Sequence, residues 1–314
     1  MQGVLTSLGF SPRPAPRVEP AQTEIASRPS YSLKLVNETV TDRDLTEIQK
    51  LGITIISGEW GIDDASPETI LALLDRVATH RLKLIINFSD GAAWGYQEDG
   101  SDSLSKPPRW QGDRAQEYVQ RIKHHPAIFG YDISNEGGEN LPNGERFRLT
   151  VPQLQQAARD VRAIDPVRPI ILRMHYWDNE DGDFTAQNPF AAGIADIVML
   201  NLYSNYTENG RDPALPNIVP ASGQLFIDKV KAIDPNVRIW LALAAFRESP
   251  QFLAPSAADL ARDITAARTL VNVENIGFFG WGPERYPTAG KGWYLPHDGP
   301  TLLETIRSFT APRD

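Results

Sequence analysis

Residues 154–174 read LQQAARDVRAIDPVRPIILRM. Leu154, Ala157, Ala158, Val161 and Ile164 recur at the three- and four-residue spacing that lines one face of an α-helix. Asp165-Pro166 ends that pattern, because a proline ring cannot continue the hydrogen-bonded spiral. Ile170–Met174 follows at once as a short run, mostly apolar on both of its faces. A strand of that kind is covered on both sides, which is the habit of parallel sheets. One helix, one stop and one doubly buried strand in so short a span make a βα-type unit.

Moving outward from this unit, the same alternation runs through the chain. Strand-like runs stand at Ser32–Val36, Ile53–Ser57, Leu82–Phe88, Ile128–Ser134, Ile197–Tyr203, Ile239–Phe246 and Ile276–Trp281. Helical faces lie between them, as in Ala115, Tyr118, Val119 and Ile122, or Leu260, Ile264, Ala267 and Val271. Ser66-Pro67 and Ser256 are placed as helix caps, and Lys50-Leu51-Gly52 and Ile233-Asp234-Pro235 as helix ends. The final helix is expected at Thr301–Phe309. Strict alternation requires a parallel sheet. Eight units between residues 31 and 314, with no Gly-x-Gly-x-x-Gly after the first strand, favour a closed barrel over an open dinucleotide-binding sheet. The expected fold is therefore α/β, a single (β/α)8 TIM barrel over residues 31–314. Residues 1–30, with prolines at 12, 14, 16, 20 and 29, read as a Pro-rich arm or linker.

Composition narrows the function classes. Of 314 residues, 41% are hydrophobic and 23% charged, the balance of a globular protein with a large core. Net charge is −9 and no dense Lys/Arg cluster occurs, which argues against a nucleic-acid partner. The absence of cysteine excludes disulfides, thiolate nucleophiles and Cys-based metal sites. No apolar run approaches the ~20 residues of a membrane span. Met1–Phe10 lacks a basic start and a proper apolar stretch, so a signal peptide is expected to be absent or already removed. Removal would imply an extracellular or periplasmic site.

In such a barrel, chemistry sits at the C-terminal ends of the strands. Those ends carry Glu59-Trp60, Asn87 with Trp94 beyond, Asn135-Glu136, His175-Tyr176-Trp177, Tyr203, Arg247-Glu248 and Trp281 followed by Glu284. Four of the seven tryptophans, Trp60, Trp94, Trp177 and Trp281, fall at or just past strand ends. Sugars present apolar CH faces to such rings and hydroxyls to carboxylates, amides and histidine, so the rim suits a carbohydrate. The five histidines do not form the His-x-His expected after the first strand of a metal-dependent hydrolase, so no metal site is expected. His124 and His125 stand at a helix end, where they complement the helix dipole.

The segment Arg121 to Glu136, RIKHHPAIFGYDISNE, resembles the strand-4 signature of the clan A glycoside hydrolases, such as families 5 and 2. The resemblance implies that Glu136 is the acid/base and that Asn135 binds a sugar hydroxyl. It likewise implies sugar-positioning roles for His175, Trp177, Tyr203 and Trp281. Independently of the resemblance, a glutamate flanked by aromatic rings at a barrel rim can keep its proton near neutral pH, as glycoside hydrolysis requires of its acid.

One position departs from that pattern. The clan carries its nucleophilic glutamate at the end of strand 7, where this chain has Ala244-Ala245. Three alternatives follow. Glu59, Glu284 or Glu248 can serve as the second carboxylate, and two strands at roughly 10 Å leave room for the ~6.5–9.5 Å carboxyl separation of an inverting enzyme. Asp132-Ile133-Ser134-Asn135-Glu136 also partly resembles the family 18 chitinase motif, which implies substrate assistance, although Ser134 replaces its middle aspartate. The third alternative is a barrel that binds carbohydrate without hydrolysing it. The expectation is a glycosidase acting on a poly- or oligosaccharide, with no cofactor.

Overall fold

The computed structural model describes residues 29–35, 40–61, 65–88, 91–94, 109–134, 149–175, 188–206, 218–248, 252–282, 292–293, 295 and 299–311. For 59–61, 91–92 and 292–293 this covers the backbone and not the side chains. Eight parallel strands close a barrel in chain order: β1 (Ser30–Leu35), β2 (Ile55–Gly61), β3 (Lys83–Asn87), β4 (Ile128–Asp132), β5 (Ile170–His175), β6 (Ile197–Leu202), β7 (Arg238–Ala244) and β8 (Val273–Trp281). Strand β8 returns to β1, with Ser32 beside Gly277 and Lys34 beside Phe279. Seven helices are described around it: α1 (Asp42–Lys50), α2 (Pro67–Thr79), α3 (Gly112–Ile122), α4 (Val151–Ile164), α5 (Ile218–Ile233), α6 (Ala257–Ala267) and α7 (Pro300–Thr310).

The α/β alternation is as the sequence implies, with one exception. No helix is described between β5 and β6, where residues 188–196 form turns. Ser30, assigned to the arm by composition, opens β1; residues 1–28 lie outside the described part. None of the described helices is long and apolar enough to cross a membrane.

Each strand is buried on both faces, and neighbouring residues show how. Ile56 packs in the layer between barrel and helices, while Ile55 packs inside the barrel with Ile85, Ile171, Ile197, Met199 and Trp240. The inner cluster fills the barrel as a plug, so the tube is a core and not a channel. The helices start where the sequence places their caps. The Ser66 hydroxyl accepts from the Thr69 amide at 3.3 Å, and the Ser256 hydroxyl from the Asp259 amide at 3.1 Å. Gly52, at the end of α1, has φ of +74°, where a side chain would be strained and would also meet the Thr310 carbonyl.

The opening stretch of sequence proves to be a clamp as well as a unit of the fold. Asp165, after α4, accepts from the Tyr131 hydroxyl of β4 at 2.7 Å and from Arg168 at 2.8 Å. Arg168 also donates to the His125 carbonyl at 2.8 Å. Burial pushes the Asp165 carboxyl up, but hydrogen bonds from Tyr131, Arg168 and the Val167 amide outweigh it and hold the group below its ordinary range. Burial, with Asp165 beside it, pushes the Tyr131 phenol far up, so it stays a neutral donor.

Candidate active site

Inward-facing side chains change character along the barrel. Below is the apolar plug; above it, at the C-terminal ends, stand Ser57, Asn87, Asp132, Ser134, Arg173 and Asn201. Strand alternation sets this, since each follows an inward Ile, Phe or Met at even spacing or across a bulge. Asp132 on β4 and Arg173 on β5 are 1% and 4% exposed and form an ion pair, Nε to Oδ2, at 2.5 Å. The contact is one of charge, without a straight N–H to oxygen line. The Arg173 amide also donates to the Ser134 carbonyl at 3.0 Å, tying the ends of the two strands together.

His175 ends β5 beside Asn201 of β6. The buried Asn188 side chain accepts from the His175 amide and donates to its carbonyl, both at 3.1 Å. It thus pairs with the end of β5 as a neighbouring strand would, and fixes the direction in which the histidine leaves the sheet.

The ends of β6, β7 and β8 carry a different surface. Ala244 and Phe246, 2% and 1% exposed, pack with Tyr203, Phe252 and Phe279. Phe246 and Phe279 have ring centroids 4.5 Å apart, and Tyr203 lies against Phe246 at 5.4 Å and stacks on Phe279 at 6.0 Å. The Lys34 ammonium from β1 stands over Phe279, 5.0 Å from its centroid. Glu248 is exposed on the short strand Arg247–Glu248, which pairs with Gly292–Trp293. Among the described residues no group of three His, Asp or Glu side chains is arranged to hold a metal.

No family model matches the sequence, and no curated protein sequence does. Solved structures do match the fold. A cold-adapted β-galactosidase from Rahnella sp. R3 superposes with a TM-score of 0.61 at 13% identity, over 92% of this chain and 57% of that one. The GH5_18 protein of Streptomyces cattleya, solved with Manβ1-4GlcNAc, gives 0.59 at 15% identity, over 87% of this chain and 76% of that one. A β-galactosidase from Marinomonas ef1 gives 0.59 at 12% identity, over 90% and 59%. The chain shares the fold of these barrels. This chain spans little more than half the length of the two β-galactosidases.

Within that barrel fold the sequence-derived site residues separate into three groups. Asn135, Glu136, Trp177 and Glu284 lie outside the described residues, and Glu59 and Trp60 belong to β2 without described side chains. His175 and Tyr203 stand half-buried at the C-terminal ends of their strands. Trp94 and Trp281 correct the expectation of sugar contact. Trp94 is fully buried, donates to the Ile133 carbonyl at 3.0 Å and packs on Trp110. Trp281 is 3% exposed and donates to Asp44 in the first turn of α1 at 3.1 Å. The register explains Trp281: an irregularity after Phe279 sets Trp281 beside Leu35, which faces the helices, so the indole follows Leu35 outward.

Sequence reading missed Lys34, Asn188 and the Asp132–Arg173 pair. The pair has a sequence signal, a charge at an inward position of each of two consecutive strands. Asn188 has none, because its partner is backbone.

Proposed function

We propose that the barrel is a glycoside hydrolase acting on a poly- or oligosaccharide, with Glu136 as general acid/base. The observation that supports this most is at β4. Asp132 and Ser134 alternate inward at the catalytic end of a closed barrel, and Asn135-Glu136 follow them directly in the chain. In this reading Asn135, His175, Tyr203, Trp60 and Trp177 position the sugar, and no cofactor takes part. Ala244, set among aromatic rings, leaves strand 7 with no nucleophile. The second carboxylate is then Glu59 or Glu284, with Glu248 third, and a water attacks in an inverting displacement. The experiment is turnover of an oligosaccharide panel by the parent and by Glu136→Gln. Loss of turnover with binding retained supports the assignment; no turnover by either protein, over a broad panel, removes it.

The same Ala244 cluster favours a second reading, a barrel that binds carbohydrate without cleaving it. In that case Glu136→Gln binds oligosaccharide as the parent does, and neither turns it over.

A further inference from the structure

We propose that Arg173 is a sugar-binding residue, whose terminal N–H groups donate to hydroxyl oxygens of a glycosyl unit held at the floor of the site. The inference rests on the carbohydrate reading above and adds a specificity-determining residue to the same site. Its basis is a buried guanidinium without acceptors. Leu172 and Met174 pack in the layer under the helices, and Ile171 belongs to the plug. Alternation therefore puts Arg173 inside the barrel, one step above the plug and one step below His175. The residue is 4% exposed. Its Nε lies against Asp132 and makes no hydrogen bond. Among the described residues, no oxygen accepts a hydrogen bond from its two terminal nitrogens either.

A neighbouring arginine shows what a structural guanidinium does in this barrel. Arg168, at the entry to β5, uses all three nitrogens: Nε donates to the Ile128 carbonyl at 3.3 Å, Nη1 to Asp165 at 2.8 Å and Nη2 to the His125 carbonyl at 2.8 Å. The Arg173 side chain is the more deeply buried of the two, 4% exposed against 19%, and none of its nitrogens is used in this way. Buried donors in folded proteins are nearly always matched by acceptors, so a guanidinium left like this marks the place of a partner from outside the chain. Asp132 already supplies a counter-charge, and what the terminal groups lack is oxygen acceptors. A rigid, planar fork of N–H donors matches the oxygens of two adjacent hydroxyls on a pyranose ring. Inward positions around it are small: Ser57, Ser134, Ala242 and Ala244 stand where larger side chains would fill the barrel. Tyr203, half-buried at the end of β6, offers apolar surface to the CH face of the same ring.

The test pairs a protein variant with a modified ligand, on the full chain. The oligosaccharide panel above, with cellobiose, mannobiose, xylobiose and galactobiose in it, is screened by calorimetry. The tightest binder is then compared with its monodeoxy derivatives. Where that sugar is turned over, both arms are measured in a Glu136→Gln background. At least one deoxy position should cost the parent about tenfold or more in affinity, the worth of a hydrogen bond from a charged donor. Arg173→Lys keeps a cation beside Asp132 but loses the fork. It should bind the unmodified sugar about tenfold more weakly, and lose less than about twofold further at that deoxy position. A merely structural role for Arg173 would weaken every ligand alike and leave the deoxy losses as in the parent, which overturns the inference. Thermal unfolding shows whether Arg173→Lys is folded. If it is not, the parent decides alone: bound sugar should slow solvent exchange of the Arg173 Nη–H protons, followed by NMR, and unchanged exchange overturns the inference. If sugars are bound and turned over in a Glu136-dependent way while the deoxy losses stay equal, the glycosidase reading stands and this inference falls. If no member of the panel binds, both fall.

Discussion

The Asp132–Arg173 pair puts two charges in the interior of the barrel, where taking them out of water costs several kcal/mol each and their mutual attraction offsets part of it. Removing one partner leaves the other charge buried. Asp132→Asn is expected to destabilise the protein by about 3–5 kcal/mol in urea denaturation. The double variant Asp132→Leu with Arg173→Met should be more stable than Asp132→Asn alone, because no charge is then stranded. A loss in this double variant equal to the sum of the losses in Asp132→Leu alone and Arg173→Met alone would mean that the pair is not energetically coupled. Trp94 and Trp281 belong to the same scale. A tryptophan just past a strand end reads alike in sequence whether its indole meets a sugar or a backbone carbonyl, and both of these meet protein partners.

At the scale of elements, the junction from α4 into β5 carries the Asp165 clamp. Because its carboxyl is held below the ordinary range, the clamp contributes stability that is fully present above the unfolded value of about 3.9. That contribution is lost as pH falls through the depressed folded value. Asp165→Asn should therefore lower the unfolding temperature at neutral pH, and the gap from the parent should close in acid. Unfolding followed by circular dichroism across the acid range checks the sign; a gap that widens in acid would refute it. The α6 cap is simpler. Ser256→Ala should cost about 0.5–2 kcal/mol, independent of pH near neutrality, since it deletes one hydrogen bond to a helix-start amide. Both features were legible in the sequence as breaks in helical periodicity. The clamp's partners, Tyr131 and His125, were not, because they come from the preceding βα unit.

For the whole molecule, closure depends on β8 approaching β1. A Cβ at Gly277 would stand 2.7 Å from the Ser32 hydroxyl and 3.1 Å from the Leu241 carbonyl. Gly277→Ala is thus expected to cost about 1–3 kcal/mol through overpacking at the last seam of the barrel. Gly193→Ala is the wrong control, since its φ of +79° carries strain of its own. The near-isosteric Thr46→Ser on α1 serves better, since the serine hydroxyl can keep the bond to the Asp42 carbonyl, and it should change the denaturation midpoint little.

The sequence by itself determined the order of elements, the parallel sheet and its count of eight strands, because periodicity and stop signals are local properties of the chain. It also marked which ends of the strands carry polar and aromatic residues. Only the tertiary structure decided which way those side chains face. Trp281 was turned toward α1 by a register irregularity between two strands far apart in sequence, and Lys34 was brought over Phe279 by the closing of β8 on β1. Register and closure arise from contacts between distant segments, and no window of sequence contains both partners.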